Sequence, residues 1–236
     1  MIDNYSYKEP VSIEKAKQIL EEYKKTLSKK HNRFVERQLK KKYNTVTNTI
    51  TIGERSFTGT YRENSDRKNR KDAYRKETKI STVLSSKGFD IILLKETERK
   101  IQKNDKTKRP DNTKSDALVN GIVMDFKEIT GTSKNTLGKN YQDSMRKKHS
   151  QGAVLFLVNN MTEKEVFEQL AGKTRSQGNG LVLVYHENTD GLQIINMKNL
   201  RAAHDRTARI GRGSKIKPPY KSGSLMSQPN KNIPIT

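Results

Sequence analysis

Apolar positions in this chain fall into short runs with two periods, one of about 3.6 residues and one of two, divided by glycine, asparagine and charged punctuation. Ile13, Ala16, Leu20, Tyr23 and Leu27 follow Ser12 at helical spacing. They predict helix within 11–43, basic from His31 to Tyr43, where Phe34, Val35 and Leu39 are the apolar anchors. That basic part reads either as an amphipathic helix docked on the domain or as a helix touching nucleic acid or a partner. In 45–61 the period changes: Val46, Ile50 and Ile52 alternate with Thr and Asn, then Gly53-Glu54 leads to Arg55–Tyr61, the pattern of a β-hairpin able to pair with a larger sheet. A charged connector, 62–71, separates this part from a helix over 71–87 that ends at Gly88 and carries Ala73, Ile80, Val83 and Leu84 on its apolar face. A strand over 89–94, a lysine-rich loop over 95–112, two short strands around Asn120-Gly121 and a helix over 135–148 follow. That helix has Leu137, Tyr141, Ser144/Met145 and Lys148 along one face. Gly152–Val158 is a continuous apolar run of central-strand type, Thr162-Glu-Lys-Glu165 is a capping box for a helix to Ala171, and Leu181–Tyr185 is another buried strand, with one more near 191–197. Past Leu200 the apolar pattern fades into a basic, glycine-, serine- and proline-bearing tail. The expected division is an extension over 1–68, a main domain over 69–200 and a flexible tail over 201–236.

Asn120-Gly121 organises the middle of the chain. A two-residue type I′ turn needs positive φ at both central positions, which Asn-Gly supplies. With that turn, Val119 pairs with Ile122, Leu118 with Val123, Ala117 with Met124 and Asp116 with Asp125. Ala117, Val119, Ile122, Met124 and Phe126 then share an apolar face, and Lys127 joins the two aspartates on the other. Directly opposed residues have Cβ atoms roughly 4.5–5.5 Å apart, and like charges so placed repel. A solvated pair with a lysine salt bridge is one resolution, a shared proton another, and a divalent cation with oxygen ligands a third. In the third case two acids and a lysine suit phosphodiester hydrolysis, with a metal-activated water and a cation facing the charge that develops on phosphate. Glu77 also lies on the apolar stripe of its helix, at i+4 from Ala73, and is expected as a third acid at the same site.

Composition narrows the partners. The 236 residues include 48 Lys and Arg against 26 Asp and Glu, a net charge of +22. Such an excess favours a polyanion, most simply nucleic acid. The hydrophobic share is 31%, which predicts one core with polar extensions. With no cysteine there is no disulfide, zinc–thiolate site or thiol nucleophile. No membrane span or signal-peptide pattern stands out, so the expected place of action is a cytoplasm, its own or that of a target cell after delivery. The four histidines show no ligand spacing. The long loop, with Arg109-Pro110-Asp111 near its end, opens into the Asp116 strand and is placed to touch a substrate backbone.

The order of elements from 71 to 185 resembles the αβββαβ core of the PD-(D/E)xK nuclease superfamily, an α/β (α+β) fold with a central mixed sheet flanked by helices. Glu77, Asp116 and Asp125-Phe126-Lys127 match its acids and lysine. More narrowly, 72–158 look like the nuclease domains at the C-termini of contact-dependent inhibition (CdiA-type) toxins, several of which cleave tRNA. The match covers a third to a half of the chain. Its proline-aspartate dipeptide falls here at Pro110-Asp111, before the acid that fits the hairpin, so the first acid is Asp116 or Asp111. The resemblance implies a metal-dependent endonuclease with Glu77, Asp116 and Asp125 holding Mg²⁺ or a similar cation and Lys127 stabilising the reacting phosphate. It further implies Gln142 or Arg146 as substrate contacts, with Lys139, Lys147 and Arg109 as neighbouring basic candidates, tRNA, other RNA or DNA as substrate, and an acidic immunity protein as partner. The alternative is a non-catalytic nucleic-acid-binding protein of a phage or mobile element with a degenerate nuclease fold.

Overall fold

Eight strands form one mixed sheet whose spatial order follows the chain: β1 (Asn44–Ile52), β2 (Arg55–Glu63), β3 (Asp90–Leu93), β4 (Ala117–Val119), β5 (Ile122–Ile129), β6 (Gly152–Leu157), β7 (Leu181–His186) and β8 (Gly191–Asn196). The helices are α1 (Ile13–Lys25), α2 (Lys29–Leu39), α3 (Lys71–Ser86), α4 (Thr136–Arg146) and α5 (Glu163–Ala171). The computed structural model describes residues 10–52, 55–63, 71–94, 115–146, 148, 150–171, 179–200 and 202. The expected loop over 95–112 and the tail from 203 onward lie outside these residues.

Pairing follows the connections. The antiparallel pairs are β1–β2, β3–β4, β4–β5 and β7–β8. The parallel pairs β2–β3, β5–β6 and β6–β7 are each joined across one helix, α3, α4 and α5 in turn, because a parallel neighbour requires a crossover. The N-terminal hairpin therefore extends the main sheet, through Thr60, Tyr61 and Arg62 opposite Asp90, Ile91 and Ile92. Its close approach depends on Gly59, where a Cβ would stand 2.5 Å from the carbonyl oxygens of Phe89 and Ser85.

Helices cover both faces. On one, α1 and α3 contribute Ala16, Ile19, Leu20, Ile80 and Leu84 to a core with Ala117, Val119, Ile122, Met124 and Phe126. On the other, α4 and α5 place Leu137, Tyr141, Val166 and Leu170 over Ala153, Leu155, Val182 and Val184. Beside them α2 places Phe34 and Val35 over Ile92, Leu94, Leu118 and Val123. The long helical stretch expected near the start is thus two helices, broken at Thr26–Ser28, that end up on opposite faces. Ser12 and Ser28 each accept a hydrogen bond from the backbone N–H three residues on, which fixes both starts. Among the described residues no helix is long and apolar enough to cross a membrane.

Candidate acidic site beside the central hairpin

The turn forms as its sequence requires, with φ of 46° at Asn120 and 81° at Gly121, and the register is Val119–Ile122, Leu118–Val123 and Ala117–Met124. Two further bonds hold the bend: Asn120 accepts from the Asp90 N–H through Oδ1 at 2.9 Å, and the Asn120 N–H donates to the Asp90 carbonyl at 2.8 Å. His31 Nε2 lies 2.9 Å from the Gly121 carbonyl oxygen, so α2 is pinned to the same turn. Burial holds the His31 pKa below its usual value, with the Gly121 bond opposing and the Lys24 charge reinforcing that shift. His186, likewise read as incidental in the sequence, is buried against Gln193 at 2.9 Å. His149 and His204 lie outside the described residues.

Continuing the register brings Asp116 and Asp125 together where the β4–β5 ladder ends and β5 runs on beside β6. The Phe126 N–H, left without a β4 carbonyl there, donates to Asp116 Oδ2 at 2.8 Å. Asp125 is fully buried, and Asp116 is 6% exposed. Lys127 Nζ sits 2.6 Å from Asp125 Oδ2 and Lys148 Nζ 4.0 Å from Asp125 Oδ1. Ser144 donates to Asp125 Oδ2 at 2.7 Å. Asp125 Oδ1 is buried without a hydrogen-bond partner. Asp116 titrates at about 8, pushed up first by burial, then by the charges of Asp125 and Glu77, against the Phe126 N–H, which lowers it.

Of the residues singled out in the sequence, Asp116, Asp125 and Lys127 are brought together. Glu77 is half-buried on α3, whose Ile80 and Leu84 pack on the other face of the sheet, and its charge reaches Asp116. Gln142 is half-buried on α4, and Lys139 and Arg146 are exposed there. Arg109, Asp111 and Lys147 lie outside the described residues. Ser144 and Lys148 were marked in the sequence only as part of a helix face. The signal that singled out Glu77, a polar group on a buried stripe, applies to Ser144, whereas Lys148 lies beyond the end of α4, where no helical stripe places it. Their approach is fixed by the turn after α4, where the Ser150 N–H donates to the Ser144 carbonyl and the Ser115 and Ser150 hydroxyls meet at 2.7 Å.

The donor set fits a hard cation in one respect and falls short in another. Two buried carboxylates lie side by side, one with an oxygen that accepts no hydrogen bond and one with its pKa raised, and such adjacent oxygen donors suit a hard cation. Yet among the described residues no three His, Asp or Glu side chains converge to hold a metal ion. Asp116 and Asp125 are the residues that would hold one, with Glu77 the carboxylate whose charge reaches Asp116.

No curated protein matches this chain. One solved structure, described as a CdiA-CT/CdiI toxin and immunity complex from Burkholderia pseudomallei, is similar at 18% identity and a TM-score of 0.41, covering 56% of this chain and 89% of that one. Residues 113–203, the stretch holding the hairpin, Lys127, Ser144 and Lys148, match the family model of the contact-dependent growth inhibition CdiA C-terminal domain.

Proposed function

We propose that this chain is a metal-dependent endonuclease that hydrolyses phosphodiester bonds of nucleic acid, RNA and particularly tRNA before DNA, in the setting of a delivered toxin acting in a target cytoplasm. The observation that carries the reading is the buried Asp125 carboxylate, with one oxygen unpartnered, beside Asp116 and between the ammonium groups of Lys127 and Lys148. A buried carboxylate oxygen that accepts no hydrogen bond is costly unless a ligand or reaction uses it. The order α3, β3, β4–β5, α4, β6 resembles a PD-(D/E)xK core with Asp125-Phe126-Lys127 as its signature, and the match over 113–203 supports a toxin domain of a family that is often nucleolytic.

Asp116 and Asp125 would hold a divalent cation, which supplies Lewis acidity and lowers the pKa of a bound water. Lys127 stabilises negative charge building on the phosphate, in a site dry enough for that interaction to be strong. Ser144 orients Asp125, and Lys148 balances its second oxygen. Without the cation Asp116 is pushed up to about 8 by burial and by the neighbouring carboxylates, so a cation bound there would displace its proton. The net charge of +22 makes an acidic immunity protein the fitting partner.

One observation favours the second reading, a binder with a degenerate site: Lys127 is already paired with Asp125 and no three-group cluster is present among the described residues. Incubation with total cellular RNA and with plasmid DNA, with Mg²⁺ and with EDTA, separates the two. The enzyme cleaves only with the metal. Its Asp125→Asn variant is slower by on the order of 10³-fold while still shifting tRNA on a gel. Gel shift without cleavage by any divalent ion leaves the binder.

A further inference from the structure

The helix over Leu118 and Val123 plays no part in the chemistry above, yet it is the neighbour of the acid pair. Along β5, Val123 and Asp125 are successive side chains on one face, about 7 Å apart. On β4, Leu118 stands in the same relation to Asp116. Helix α2 buries His31, Phe34 and Val35 toward this face, leaving Lys29, Lys30, Arg33, Arg37 and Lys40 exposed. From Lys29 to Lys42 the chain has seven lysines and arginines and one acid, Glu36. Lys29, Arg33 and Lys40 recur at i, i+4 and i+11, a stripe about 16 Å long on the side away from Phe34.

We propose that the exposed face of α2 is the phosphate-docking surface through which a nucleic acid is presented to the Asp116–Asp125 site. The claim rests on the nuclease reading and adds where the substrate backbone lies. Three features carry it. The charge sits on a capped helix seated in a core, so its positions are set before the polyanion arrives. The helix is tied at one end of the β4–β5 hairpin, through His31 and the Gly121 carbonyl, and the acids lie at that hairpin's other end, so docking surface and reacting groups share one element. Helix α4, whose Ser144 bonds to Asp125, also carries the exposed Lys139 and Arg146, so a second element of the site offers cations to a backbone. Contacts of this kind position without reading sequence.

The test compares two pairs of substitutions that remove equal charge from opposite faces of the sheet, in the full chain: Arg33→Ala/Lys40→Ala on α2, and Lys15→Ala/Lys25→Ala on α1. Fluorescence anisotropy with labelled tRNA, in the Asp125→Asn background and from low to high KCl, gives the salt slope. Loss of two phosphate contacts lowers that slope by about 1.5–2. In the cleaving enzyme the α2 pair raises KM on the order of tenfold with kcat nearly kept, since a uniform binding contribution is lost. The α1 pair moves neither value appreciably. Equal effects from both pairs, or none from the α2 pair, overturn the proposal and leave α2 as a protein-docking face. Failure of the nuclease reading shows separately, as absence of cleavage by the unaltered chain, whatever the anisotropy reports.

Discussion

The two faces of the β4–β5 hairpin alternate along the same short stretch of chain and are built on opposite terms. Ala117, Val119, Ile122, Met124 and Phe126 face α1 and α3, where every partner is apolar and burial alone stabilises the contact. The reverse face begins the same way, with Leu118 and Val123 under α2, and then changes character within one side-chain step to Asp116, Asp125 and Lys127. There the neighbours are Ser144 and Lys148, one carboxylate oxygen is unpartnered, and a carboxyl is held protonated far above its usual range. One face is optimised for folding. The other keeps a cluster that folding alone would not select, which is the physical ground for placing function there.

Substitution can sharpen that contrast. Met124→Ala opens a cavity in the apolar face and should cost about 2–5 kcal/mol in urea unfolding. Cleavage per folded molecule should stay near that of the unaltered chain. A larger loss of specific activity than of folded fraction would mean that the two faces are not separable. Asp116→Asn should act in the opposite sense on stability. The unfolded chain releases this proton near pH 4 and the folded chain only near 8, so the folded state binds more protons between those values and stability falls as pH rises through that window. The amide removes the effect, raising stability at pH 8 by on the order of 1–3 kcal/mol and flattening the profile. Urea midpoints at pH 5 and pH 8, with and without Mg²⁺, read this directly, and an unchanged slope in the variant would assign it to other groups. The smallest effect is expected at the bend shared by both faces. Gly121 has φ of +81° and Lys24 Cε lies 3.3 Å from where a Cβ would stand, so Gly121→Ala should cost about 1 kcal/mol. Cleavage should fall only with the folded fraction if both faces keep their register.

What could be read from the chain alone was what depends on near neighbours. Positive φ at Asn-Gly fixed the turn, the turn fixed the register, and a period of two then determined which residues share a face, so Asp116, Asp125 and Lys127 were assembled from spacing. Helix periods, caps and apolar runs placed α3 to α5 and the strands around them in the same way. Layering was not available from spacing, because a stripe says that a helix buries one side and not which sheet face receives it. Only the assembled molecule packed Ile80 and Leu84 of α3 on the sheet face away from Asp125, turned Ser144 and Lys148 toward that carboxylate, and set the basic helix α2 beside the acids. It also joined the first hairpin to the main sheet, through a parallel pairing of β2 with β3 that needs the whole of α3 as its crossover. Those placements are decided by contacts between segments far apart in sequence, where packing against the sheet, rather than local conformation, selects the arrangement.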